Sequence, residues 1–173
     1  MNTADRIPDH PDLIADHNAL RRLAARQPVE TPGCRLLWHA AVAIGEREGL
    51  GRSPLGERFI VPILGGAFWG AEGFEALHGT VRAGGADRQL LRADGVKELD
   101  ALYEMQVHDG TVLTVHNRVT IDESVQPRYA RSQVAVTAPD GPWAWLSRRR
   151  LVGTLQPLRP EAAAVLVRVF EVV

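Results

Sequence analysis

With 173 residues, 45% of them hydrophobic and 24% charged, the chain has the make-up of one folded domain and not of a disordered segment. Twenty basic side chains against 21 acidic ones leave a net charge of −1, without the basic excess of a nucleic-acid binder. The single cysteine, Cys34, excludes an internal disulfide and a cysteine-built zinc cluster. No apolar run reaches the roughly 18 residues of a membrane helix. Acidic residues come early and no apolar stretch resembles a secretory leader, so the expected location is the cytoplasm, without membrane or nucleic-acid partners.

In chain order, residues 1–34 form an N-terminal extension and 35–173 the main domain. Asp9, Pro11 and Asp12 make a helix start, and Leu13, Leu20, Leu23 and Ala24 recur at helical spacing on one face. Arg21, Arg22 and Arg26 suit the helix end, and Pro28 to Gly33 terminate it. From residue 35 the signal is β. The runs 35–44, 58–64, 67–70, 76–83, 86–92, 96–107, 111–121, 128–137, 143–153 and 164–172 are short and bounded by turn residues. Such spacing predicts an all-β fold, an antiparallel sandwich or barrel.

Two turns predict register. Ala93-Asp94-Gly95 and His108-Asp109-Gly110 each fit a three-residue hairpin loop with glycine in a left-handed bulge position. That choice gathers Leu99, Tyr103, Met105, Leu113, Val115 and Val119 on one face and sets Arg88, Asp100 and Arg118 in a charged row on the other. It also places Asp87, Ala101 and Asn117 side by side on the apolar face, with Tyr103 and Gln89 two residues away along their strands. A buried carboxylate is costly unless paired or protonated, which makes the group a candidate site. The same residues also allow Asp87 to cap its own Gly84-Gly85 turn and Asn117 to satisfy a bulge or a buried water.

These residues fall in strings that resemble the bacterial family of domain of unknown function 3237 (UPF0311-like proteins). The strings are SPLGERFIVPILGGAFWG (53–70), HGTVRAGGADRQLLRADGVKELDALYEMQVHDGTVLTVHNR (78–118) and WAWLSRRRLVGT (143–154). The resemblance spans about residues 35–173. It implies a single antiparallel β-barrel of about eight to ten strands with a cavity at one end, often dimeric, similar in shape to allene-oxide-cyclase-like, dirigent and lipocalin barrels. Allene-oxide-cyclase-like and dirigent proteins bind apolar intermediates and steer cyclisation without a redox cofactor, an analogy of fold only. By position the family's aspartate is Asp87, its glutamine Gln89, its asparagine Asn117 and its tryptophan Trp145. Arg88, Val119, Ser147 and Trp143 stand where the family usually has tryptophan, glycine, asparagine and tyrosine, and the helical N-terminal segment is no part of its pattern.

Other constellations carry less. The six histidines form no ligand pair on one element, only His39 with His78 being conceivable, so no metal site is expected. The glycine pairs lack the strand–loop–helix setting of a phosphate loop and suit bends in barrel strands. If 138–142 is a hairpin loop, Arg131 pairs with Arg149, Gln133 with Ser147 and Ala135 with Trp145. Turned inward, the two arginines would hold a carboxylate or enolate, but Val134, Val136 and Leu146 on the opposite face favour outward arginines. Trp69, Trp143 and Trp145 are candidates for a cavity rim.

The leading expectation is an enzyme without cofactor, working by isomerase, cyclase or lyase proton transfer on a small apolar oxygenated molecule inside the barrel. Asp87 is the general acid and base, its pKa raised by apolar surroundings, and Asn117 and Tyr103 donate to a developing oxyanion. Gln89, Trp69, Trp145, Ser147, Arg131, Arg149 and Met105 are the expected substrate contacts. The rivals are a non-catalytic barrel that carries a small hydrophobic ligand, and a filled scaffold for a homodimer.

Overall fold

The computed structural model describes residues 16–173, which divide into two units, the boundary in the chain falling between Pro32 and Gly33. In the first, helix α1 (His17–Ala24) is capped by Asp16, whose carboxylate accepts from the N–H groups of Asn18 and Ala19 at 3.0 Å each. Leu20 and Leu23 lie on it, both exposed. The expected start around Asp9, Pro11 and Leu13 falls outside the described residues. Among the described residues no helix is long and apolar enough to cross a membrane.

The second unit is built of strands β1 (Cys34–Ile44), β2 (Glu48–Ser53), β3 (Gly56–Gly70), β4 (Gly79–Val81), β5 (Ala86–Arg92), β6 (Lys97–Val107), β7 (Val112–Asp122), β8 (Tyr129–Thr137), β9 (Leu151–Pro157) and β10 (Ala164–Val172). All pairings are antiparallel, and because β1 bonds both β10 and β3, the sheet closes on itself as a barrel. β4 and β5 lie in line between β3 and β6 and fill one of the eight positions. β2 continues the path of β1 along β3 and ends at the tight turn before Gly56. The β3 strand changes neighbours from β5 to β4 at Gly65-Gly66, where φ is +132° and +145°. A side chain on Gly66 would run into the carbonyl of Ala41, so the barrel wall there requires glycine.

Alternation fills the interior. β8 alternates exposed and buried residues along its whole length, with Ala130, Ser132, Val134 and Val136 turned inward. A bulge in β1 between Leu36 and Trp38 buries two consecutive side chains, Leu37 and Trp38. These join Leu77, Met105, Val107, Leu113 and Leu146 in a core that plugs one end of the barrel. A smaller cluster of Leu99, Val119, Ile121 and Ala130 lines the other end.

The structure corrects one predicted strand. Residues 143–150 do not extend from the hairpin; Ala144–Arg148 is a short 3-10 helix, and the strand starts at Leu151. The observed partners are Arg131 with Thr154, Gln133 with Val152 and Val134 with Leu151, so Arg131 does not face Arg149, nor Ala135 face Trp145. The 3-10 helix acts as a lid on the plugged end. Leu146 is buried in the core, the Trp143 indole N–H donates to Asp109 in the β6–β7 turn at 2.8 Å, and the Ser147 hydroxyl accepts from the Ala138 N–H at 2.9 Å.

Candidate active site

The two hairpins that place the site have the register expected from their turns. Gly95 and Gly110 are left-handed, at φ +85° and +89°. Asp87 lies opposite Ala101, and Ala101 opposite Asn117. With strands spaced by roughly 4.8 Å, the backbones of Asp87 and Asn117 stand about 10 Å apart across a single methyl group. The room that alanine leaves is a cavity of about 70 Å³. Its polar lining is Asp87, Gln89, Tyr103 and Asn117; Val42, Ile44, Val61, Ile63, Leu155, Val165 and other apolar side chains make the rest.

Tyr103 is held from behind by Gly85. A Cβ on that glycine would lie 2.6 Å from the Leu102 carbonyl and 2.7 Å from the Tyr103 Cβ, so β6 approaches the start of β5 more closely than any other residue permits. Gln89 projects on the same side as Asp87 and donates its amide N–H to Asp87 Oδ2 at 2.7 Å. The other carboxylate oxygen, Oδ1, is shut off from solvent and has no protein partner. The same is true of the Tyr103 hydroxyl and of Asn117 Oδ1. Buried polar atoms nearly always find a partner, so three orphans on one small cavity are the unusual feature of the molecule.

Burial pushes the Asp87 carboxyl up to about 6, against the pull of the Gln89 hydrogen bond and of the Asp100 backbone amide, which favour the charged form. The negative charge of Asp100 on the outer face adds a smaller push upward. Burial also raises the Tyr103 phenol above its ordinary value, so it stays a hydrogen-bond donor. Asp87 is therefore a carboxylate that takes up a proton just below neutrality, beside a phenol that does not lose one.

The remaining expected contacts lie elsewhere. Met105 is fully buried in the core of the plugged end. Trp69 is 45% exposed and stacks on the His39 ring, centroids 5.4 Å apart, on the outer surface. Trp145 packs against that core and against Phe74, with ring centroids 6.1 Å apart. Ser147 is exposed at the lid. Arg131 points outward on β8, and Arg149 pairs with Glu171 at 2.9 Å, a buried carboxylate that Arg35 also holds at 2.5 Å. None of these six lines the cavity.

The histidines are likewise dispersed, His78 stacking on His108 at 4.3 Å. Among the described residues no three His, Cys, Asp or Glu side chains gather where a metal ion would bind. Ser132 escaped the sequence reading. Its buried hydroxyl has no partner and lies beside Val119, on the inner face that β7 presents two residues from Asn117. The signal was available: a lone serine among Ala130, Val134 and Val136 at a spacing of two.

The sequence profile of the family described as "Protein of unknown function (DUF3237)" matches residues 32–172. A UPF0311 protein of Rhodopseudomonas palustris is 30% identical over 125 residues, covering 64% of this chain and 79% of the relative. The crystal structure of a conserved protein of unknown function from the same species superimposes with a TM-score of 0.73 at 28% identity, over 84% of this chain and all of that one. A β-barrel-like protein of Acinetobacter baumannii has the same fold, with a TM-score of 0.73, 21% identity, and coverage of 86% and 100%. So does a protein described as an enzyme from Penicillium herquei, with a TM-score of 0.67, 21% identity, and coverage of 85% and 98%.

Proposed function

The chain belongs to the DUF3237 family, and from the cavity its barrel encloses we propose that it is an enzyme moving protons on a small, largely apolar oxygenated substrate, without a cofactor. The observation that carries this reading is the convergence of three unpartnered, solvent-shielded polar atoms, on Asp87, Tyr103 and Asn117, in one apolar cavity. The likeness of fold to an enzyme from Penicillium herquei is compatible with it.

Near pH 7 a carboxyl with a pKa of about 6 is mostly ionised and close enough to its midpoint to give the proton back. Asp87 takes a proton from a hydroxyl, or from a carbon beside a carbonyl. The negative charge that develops on the carbonyl oxygen is met by the Tyr103 O–H and by the Asn117 NH₂, which a turn of the amide brings to the place now held by Oδ1. The proton then returns from Asp87. Returned to another carbon, it completes an isomerisation. In a cyclisation, the alkoxide first adds to the β-carbon of an enone and the resulting enolate takes the proton at its α-carbon; elimination is the reverse. Gln89 fixes the carboxylate through Oδ2 and leaves Oδ1 for the substrate.

A free volume of about 70 Å³ is that of a functional group, whereas pockets for whole drug-sized ligands run to about 300–1,000 Å³. The reacting group therefore enters among Asp87, Tyr103 and Asn117, and the body of the substrate lies toward Ile44, Leu155 and Val165, displacing them. In the rival reading, Asp87 only anchors a carried ligand. The Gln89 hydrogen bond, which holds the carboxylate in one orientation, is what favours it.

The test begins with native mass spectrometry and solvent extraction of the protein from its own host to recover a bound metabolite. Deuterium uptake into that metabolite from D₂O is then followed by NMR. Wild type is expected to exchange with an acid limb near pH 6, and Asp87→Asn to lose about 10²–10⁴-fold in rate while binding within a few-fold. Exchange by Asp87→Asn at the wild-type rate would sink the catalytic role. Binding lost together with exchange would favour the carrier.

A further inference from the structure

The outer wall of the barrel carries a second concavity that the proposed chemistry does not use. It is a groove of about 960 Å³ over the solvent face of β3 and β5–β8, flanked by the tip of the β2–β3 hairpin. Two rows of outward side chains cross its floor. In one, Arg58 is followed across the strands by Leu90, Glu98, Thr120 and Arg131. In the next, Arg88, Asp100, Arg118 and Gln133 stand side by side.

The charges in these rows cancel only in part. Asp100 turns away from both arginine neighbours to His116, at 2.6 Å, and Glu98 is held by Arg92 at 2.9 Å. Among the described residues, none of Arg58, Arg88, Arg118 and Arg131 is paired with a carboxylate. Arg58 donates to the Leu50 carbonyl at 2.9 Å, Arg118 reaches Gln133 at 3.4 Å, and Arg131 lies 5.5 Å over the Tyr129 ring. Counted against the two carboxylates of Glu98 and Asp100 in the same rows, the four arginines leave this face with an excess of two positive charges, and none of the four is held in a salt bridge. Leu50, Leu55 and Tyr129, between 40% and 73% exposed, give the same groove an apolar rim.

We propose that this groove binds an amphipathic organic anion: a rigid apolar body with two anionic groups, carboxylate, sulfonate or phosphate. Arg88 and Arg118 are two strands apart, about 10 Å, and Arg58 and Arg131 four strands apart, about 19 Å. That separation suits two anionic groups at opposite ends of one body better than a single phosphate. Guanidinium forks recognise such groups bidentately. The volume lies at the upper end of the range for small-molecule pockets, and the chain's net charge of −1 gives no general attraction for polyanions, so the cations are concentrated here for a local purpose.

The test is fluorescence titration of the full chain with bis-anilinonaphthalene sulfonate, an aromatic body bearing two sulfonates, beside its uncharged relative N-phenyl-1-naphthylamine. One saturable site per chain is expected for the dianion, at least tenfold tighter than the uncharged probe and weakened by salt. The Arg88→Ala, Arg118→Ala double variant, altered only on the surface and checked for fold by circular dichroism, is expected to bind at least tenfold more weakly. Asp87→Asn binds like wild type, which separates this groove from the inner cavity. Equal binding of the uncharged probe, or wild-type affinity in the double arginine variant, would overturn the assignment. So would poly-glutamate binding where the dianion does not saturate, which would make the face a dock for an acidic protein.

Discussion

Asp87 illustrates what burying a carboxyl costs in stability. Its ordinary value in an unfolded chain is about 4 and its folded value about 6, so roughly 2 pH units separate the two states, worth on the order of 3 kcal/mol. The sign follows from proton counting. Between about pH 4 and 6 the folded protein keeps a proton that the unfolded chain has released, so stability falls as the pH rises through that window. Above it the full cost persists; below it there is none. Asp87→Asn keeps an acceptor for Gln89 and removes the charge. Urea unfolding should therefore find the variant more stable than wild type by up to about 3 kcal/mol at pH 7.5, the gap closing by pH 4. A gap that ignores pH, or a variant less stable at neutrality, would show that the carboxylate bears no burial penalty. Tyr103→Phe completes the comparison: it removes a buried hydroxyl that has no protein partner, so the midpoint should hold or rise slightly at every pH.

At the scale of elements, what was legible depended on whether the determining contact was local. The β5–β6 and β6–β7 registers were readable because each hairpin carries its own turn chemistry, Asp94-Gly95 and Asp109-Gly110, and a slip of one residue would have turned Leu99, Tyr103 and Met105 to solvent. The same two registers bring Asp87, Tyr103 and Asn117 onto one inner face. The segment 143–150 misled because its shape is decided by distant partners. Asp109, in the β6–β7 turn, takes the Trp143 indole and Ala138 binds Ser147, while Glu171, on the neighbouring strand β10, takes Arg149 and is held in turn by Arg35 at the start of β1. Nothing in the local alternation of Trp143, Trp145 and Ser147 reveals those contacts, so the sequence by itself points Trp145, Ser147 and Arg149 to the cavity. β2 was missed for the opposite reason: Gly49, Gly51 and exposed charged residues carry no apolar period, and the strand is held by its pairing with β3. The lid is expected to depend on its one buried side chain. Leu146→Ala empties a position 1% exposed and should cost about 2–5 kcal/mol in denaturant unfolding. A cost below 1 kcal/mol would mean that the lid is not part of the cooperative core.

For the barrel as a whole, the two ends are built to different strengths. The plugged end holds Trp38, Leu77, Met105 and Val115 with no measurable exposure, in one cluster that reaches across the strands. The other end has the small cluster of Leu99, Val119, Ile121 and Ala130, and Gly45 to Arg47 interrupt the strand path between β1 and β2 beside it. The cavity lies between them, so any ligand larger than about 70 Å³ is expected to enter through the end with less apolar area to disrupt. Amide hydrogen exchange tests this directly, because β6 and β7 run the full height of the barrel and sample both ends within one hairpin. Amides of 103–107 and 113–115 should exchange at the rate of global unfolding, and those of 97–99 and 119–121 faster, by local opening. Occupying the cavity should then slow the second set and leave the first unchanged, since only the opening that admits the ligand is opposed by its binding. If 103–107 opened first, entry would be from beneath the 3-10 lid, and Trp143 and Trp145 would become its gate.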